Sequence, residues 1–140
     1  MRIILVSHGR LADGMLQASR MICGEDERIT SMGLMPEEDP MEFGGRIERE
    51  LVSAGKQKEQ VLVLSDLFFG SPFNSAAQLM RDYEICHVTG MNLAMVIQAI
   101  ELMQGGSTDV NDIAATLIQS ARDGIKDVNE YFGTERRPAI

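Results

Sequence analysis

Positive charge is what this sequence has least of: 13 Lys and Arg stand against 21 Asp and Glu, a formal net charge of −8. Nucleic acids and anionic membranes are gripped through basic patches, so this balance argues against both. It leaves open a protein partner with a basic face. Cysteine is scarce too. Cys23 and Cys86 are an isolated pair without CxxC or zinc-type spacing, and in a chain with no signal peptide they read as reduced, buried thiols. No apolar run approaches the ~20 residues of a membrane-spanning helix, so a cytoplasmic protein is expected. Repeats, low-complexity tracts and long linkers are absent as well, and nothing divides the chain.

What remains is an ordinary globular composition, 44% hydrophobic and 24% charged. A chain of 140 residues makes one domain, able to bury about two thirds of its unfolded surface. Residues 2–7 carry the run Ile-Ile-Leu-Val, apolar throughout, as a strand covered on both faces requires. A helix is predicted over 11–23, with Leu11, Met15, Ala18 and Ile22 facing inward and Gly24 as its stop. Residues 29–35 form a weaker strand. Asp39-Pro40-Met41-Glu42 has the cap, proline and acidic residue of a helix start, and Phe43, Ile47 and Leu51 follow on one face. VLVLS at 61–65 is a second buried strand, followed by a Ser71-Pro72 helix start running through Ala76, Ala77 and Met80. A strand over 83–89, an apolar helix over 93–103 and an amphipathic helix over 108–123 complete the pattern, the last with Val110, Ile113, Leu117 and Ile118 inward. Residues 124–132 fit either a short strand or a frayed helix. The polar stretch 134–140 reads as a mobile tail beyond a domain at 1–133.

Strands alternating with helices imply an α/β domain: a doubly wound, mainly parallel sheet with helices on both faces. Chemistry in such sheets sits at the carboxyl ends of the strands. That end holds His8, Asp66 and the Gly90-Met91-Asn92 loop. A carboxylate that accepts the proton of one imidazole nitrogen fixes the tautomer and frees the other nitrogen to attack. Gly70-Ser71-Pro72 offers N–H groups and a hydroxyl at a helix N-terminus, where a phosphoryl group is attracted. Asp66 is the one strand-end carboxylate this reading places beside His8, so neither metal nor cofactor is expected. Taken singly, each residue is ordinary: a loop histidine, a turn aspartate. Their joint placement at two strand ends points to function. His87, inside a strand, reads as structural, and the abundant methionines as core filling. Phe68 and Phe69 suit either burial or a docking surface beside the site.

Three stretches carry a resemblance. VSHGRLADG, LSDLFFGSPFNSA and VTGMNLAMV are similar, in order and across nearly the whole chain, to the motifs of the mannose/sorbose-family IIA component of the bacterial phosphoenolpyruvate:sugar phosphotransferase system. The resemblance implies a cytoplasmic phosphoryl carrier. His8 would take the group from phospho-HPr and pass it to the IIB component, and the membrane IIC and IID components would be served indirectly. Asp66 would orient and stabilise His8, while Gly9, Gly70, Ser71, Gly90 and Asn92 would bound the phosphoryl pocket. One position departs from the pattern: Phe69 stands where the family usually has the first of two glycines, which affects the pocket or the partner surface.

Other readings fit less well. The phosphotransferase subunit of dihydroxyacetone kinase shares the fold type and histidine but usually lacks a GSPFN continuation. Histidine phosphatases place Arg before the histidine, where this chain has Ser7, and no second rim histidine is evident. A regulatory module that only senses phosphorylation is the non-enzyme alternative. Lastly, Ile125, Val128, Tyr131 and Phe132 crowd apolar surface into one short segment, which predicts burial on a sheet edge. The resemblance implies the same: a homodimer in which this segment can add to the partner's sheet as an antiparallel edge strand.

Overall fold

The computed structural model describes residues 1–135 and 138. Four strands, β1 (Arg2–His8), β2 (Ile29–Leu34), β3 (Val61–Ser65) and β4 (Ile85–Thr89), form one sheet in the order β2-β1-β3-β4. Every neighbouring pair is parallel. Six helices connect or follow them: α1 (Leu11–Cys23), α2 (Pro40–Lys56), α3 (Ser71–Leu79), α4 (Leu93–Gln104), α5 (Val110–Asp123) and α6 (Val128–Tyr131).

The central strands explain the two-sided core. Alternate side chains of a strand leave opposite faces. Ile3 and Leu5 of β1 join Leu62 and Leu64 of β3 under α1, α4 and α5, with Leu16, Val96, Ile100 and Leu117. Ile4 and Val6 join Val61 and Val63 on the other face, beneath Phe43, Ile47 and Leu51 of α2 and Ala76 of α3. The helices start where side-chain acceptors permit. Asp39, Asn92 and Asp109 accept the backbone N–H of Met41, Met95 and Asn111, satisfying donors that a helix cannot pair internally.

Several expectations are corrected. In α1 the buried residues are Ala12, Leu16 and Ser19, whereas Leu11 is 46% and Ile22 60% exposed. The buried Ser7 hydroxyl explains the rotation: it accepts the Ala12 N–H at 2.7 Å, pinning the first turn so that small residues face the sheet. Ile118 is exposed although Val110, Ile113 and Leu117 are buried, because it lies about 100° further around the helix than Leu117. Ser71 is the first helical residue of α3, Gly70 holding the cap position. Both cysteines are free but only half-buried, with burial pushing each thiol up.

The C-terminal segment differs most. It forms no strand among the described residues. Asp127 caps the single turn Val128–Tyr131 by accepting from Asn129 and Glu130 N–H groups, a local solution that needs no sheet edge. Ile125, Val128, Tyr131 and Phe132 stand exposed on the single chain. Of the expected tail at 134–140, residues 136, 137, 139 and 140 lie outside the described residues.

Candidate functional site

Strand register brings the site together. Val6 pairs with Ser65 across β1 and β3, so His8, which ends β1, and Asp66, which follows β3, emerge side by side at the carboxyl edge. Asp66 Oδ2 lies 2.8 Å from both the backbone N and Nδ1 of His8, fixing main chain and ring with one oxygen. Its Oδ1 accepts the Leu67 N–H at 2.8 Å. Burial pushes the Asp66 carboxyl up, but the donors from His8 and Leu67 outweigh it, leaving this group below its ordinary range. A carboxylate partner places the proton on Nδ1 and leaves the Nε2 lone pair free. The His8 side chain is 48% exposed, against 9% for Asp66. The imidazole is therefore presented, and its carboxylate is sheltered.

Gly70 lines the free edge of the ring. A β-carbon there would stand 2.7 Å from His8 Cε1 and 3.4 Å from Nε2, so only a glycine lets the loop approach so closely. The following Ser71 and Phe73 N–H groups belong to the first turn of α3 and have no intrahelical acceptor, while Pro72 has no N–H. Gly9 turns the chain with φ +51° and donates to Leu34 O at 2.8 Å. The third loop is tied to β3 by the Met91 N–H, which donates to Ser65 O at 2.9 Å. Gly90 takes φ +82° there. Asn92 Oδ1 is committed to the Met95 N–H at 2.9 Å. No hydrogen bond among the described residues joins Gly90 or Asn92 to His8. No group of three or more His, Cys, Asp or Glu side chains able to hold a metal occurs among the described residues.

Phe68 and Phe69 are 58% and 70% exposed. Their rings sit 4.0 Å apart by centroids, and both pack on Phe73. Phe73 in turn lies 5.0 Å from the His87 ring. His87 lies inside β4, as the strand reading expects. Its Nε2 is 2.8 Å from Ser65 Oγ, which donates to Thr89 Oγ1 at 2.9 Å, and burial pushes its pKa down.

Two supporting residues escape the sequence reading. Ser7 pins the first turn of α1 through the Ala12 N–H, as described above. Gly33 of β2 is the other: a β-carbon there would fall 1.8 Å from Gly9 O. With only Gly9 and Arg10 between β1 and α1, the chain must cross directly over β2, and Gly33 makes the room. A glycine inside a strand is the available signal for such an approach.

The family model described as "PTS system fructose IIA component" (EIIA-man) matches residues 2–118. The mannose-specific EIIAB component of Escherichia coli (strain K12) is 26% identical over 127 residues, covering 89% of this chain and 38% of that protein. This chain thus spans about two fifths of the length of those relatives. The sorbose-specific EIIA component of Klebsiella pneumoniae is 33% identical over 107 residues, 76% of this chain and 77% of the relative. Among solved structures, phosphotransferase system component EIIA from Streptococcus agalactiae superposes with a TM-score of 0.82 at 29% identity, covering 92% of this chain and 98% of that one. By the extent of the family match, this chain belongs to the EIIA-man family of phosphotransferase system IIA components.

Proposed function

We propose that this chain is a cytoplasmic phosphoryl carrier of a sugar phosphotransferase system, taking the group from phospho-HPr onto His8 and passing it to a IIB component. The observation that carries the reading is the Asp66 Oδ2 to His8 Nδ1 contact of 2.8 Å, the arrangement in which an Nδ1–H donor keeps the Nε2 lone pair for phosphorus. In the forward step the Nε2 lone pair forms a new P–N bond as the donor's bond to phosphorus breaks, the donor keeping that electron pair. The Nδ1 proton stays in its bond to Asp66, whose carboxylate balances the charge gathering on the ring. Gly9, Gly70 and Ser71 bound the phosphoryl oxygens, with main-chain N–H groups at the start of α3 as donors, and the Gly90–Asn92 loop closes the third side. IIC and IID membrane components are reached only through IIB. The related proteins are mannose-, sorbose- and fructose-specific, and a sugar of that class is the cargo of the system.

The test is transfer of label. Phosphoenolpyruvate, enzyme I and HPr should give an acid-labile, base-stable modification that chases to IIB, and His8→Ala should abolish it. Equal labelling of that variant would overturn the reading. We also propose a homodimer. The exposed Ile125, Val128, Tyr131 and Phe132 are its support, since each apolar side chain fully covered contributes about 1.5–3 kcal/mol. Light scattering at micromolar concentration should report two chains, falling to one when the chain is cut after Asp123; a monomeric parent would remove the dimer.

A further inference from the structure

Resting on the carrier reading, we infer that Phe69 is the docking anchor of this site. It would be a prepositioned aromatic that enters an apolar depression on the protein exchanging its phosphoryl group with His8. Residues 67–70 form a turn closed by the Gly70 N–H donating to Leu67 O at 3.0 Å. Phe69 is its third residue, at φ +60°. That position of a type II turn calls for glycine or asparagine, because a β-carbon crowds the left-handed backbone. Here a phenylalanine occupies it. The interior gains little in return, for the residue is 70% exposed. A strained residue that the fold itself does not reward points to a use outside the folded chain.

Three further observations give that use its character. The ring is not loose: it leans on Phe68 and Phe73, and Phe73 rests on His87, which Ser65 holds. An anchor ordered in advance loses little freedom on binding. It is also adjacent to the chemistry, since Gly70 beside it lines the edge of the His8 ring. A protein whose reacting group meets Nε2 therefore comes within reach of this turn. Finally, in a chain of net charge −8, the run Leu67-Phe68-Phe69-Gly70 carries no charge, and its first three residues are 59%, 58% and 70% exposed. The complementary surface is therefore apolar, a hollow next to the partner's phosphoryl-bearing side chain, as buried aromatic anchors commonly occupy.

Phe69→Gly and Phe69→Asn both tolerate the left-handed backbone and both remove the ring. With phospho-HPr as the varied substrate, each should raise KM about tenfold while kcat stays within about twofold of the parent. Phosphoramidate, a small donor that needs no docking, should phosphorylate His8 equally fast in parent and variants. A parental KM in both variants overturns the anchor. Slowing with phosphoramidate as well would make Phe69 a positioning residue for His8, and faster hydrolysis of phosphohistidine with unchanged KM would make it a water shield; either also overturns the proposal. If the parent accepts phosphoryl groups from neither donor, the carrier reading itself fails, which is a separate result.

Discussion

The two histidines of this chain make the comparison that explains its site. Both stand on strands of one sheet, and both hold a ring nitrogen 2.8 Å from a side-chain oxygen. His8 meets a carboxylate through Nδ1 and keeps its far edge at the surface. His87 meets the Ser65 hydroxyl through Nε2, lies against Phe73 and is held neutral by burial. A carboxylate can balance a ring that becomes cationic as phosphorus bonds to it; a hydroxyl cannot. Under the proposed function, the charge of the partner and the openness of the far edge suit one imidazole to the nucleophile's part and the other to support.

Removing that difference should have the largest effect. Asp66→Asn keeps the shape of the side chain and an oxygen for Nδ1, but removes the charge and turns the acceptor of the Leu67 N–H into an NH2 donor. Loss of one preorganised electrostatic partner costs on the order of 10²–10³ in rate, so single-turnover transfer from phospho-HPr should slow by about that factor while circular dichroism remains parental. Parental kinetics would reduce Asp66 to an orienting acceptor and erase the contrast. Substituting the other histidine should do far less. His87→Gln retains a polar group for Ser65, and transfer should stay within about threefold of the parent, because among the described residues the ring's polar and aromatic contacts run to Ser65 and Phe73 and none to His8. A loss matching that of Asp66→Asn would mean that both imidazoles serve the reaction.

How legible this arrangement is from residue order depends on the distance over which each feature is set. The apolar runs Ile3–Val6 and Val61–Leu64 have no polar alternation, so central strands and a parallel sheet follow, and with them the meeting of His8 and Asp66. Asp39 with Pro40 signals a helix start within three residues. What one segment does to another is harder to read. The α1 stripe of Leu11, Met15, Ala18 and Ile22 has the right period but is rotated, its middle pair half-buried and its ends exposed, because Ser7, four residues before the helix begins, pins the first turn. Gly33 looks like a weak point in a strand until the carbonyl of Gly9 is found against it. The segment 124–132 carries apolar residues without a period, and capping by Asp127 settles a helical turn where a strand is equally consistent with composition.

The smallest effect concerns stability, and it separates the two sites by pH alone. Burial lowers the His87 pKa from its ordinary 6.5, so below that value the unfolded chain binds a proton that the folded chain resists. Stability rises with pH wherever the unfolded state holds more protons. The destabilisation is therefore absent above about pH 6.5, grows as pH falls through it, and is complete only below the lowered pKa of the folded state. Asp66 has the same sign in another window: its carboxyl is held below its ordinary 3.8, so its contribution persists at neutral pH and is lost as pH falls beneath that value. Urea unfolding midpoints measured from about pH 8 to pH 5 should decline in the parent as His87 enters its window. In His87→Gln, where nothing titrates at that position, the decline should be shallower, whereas Asp66→Asn should lower the midpoint across this whole range, because the contribution it removes fades only beneath about pH 3.8. Parallel curves for parent and His87→Gln would show that the ring is not held neutral by its surroundings, and the distinction between an open histidine and a sheltered one would then rest on geometry alone.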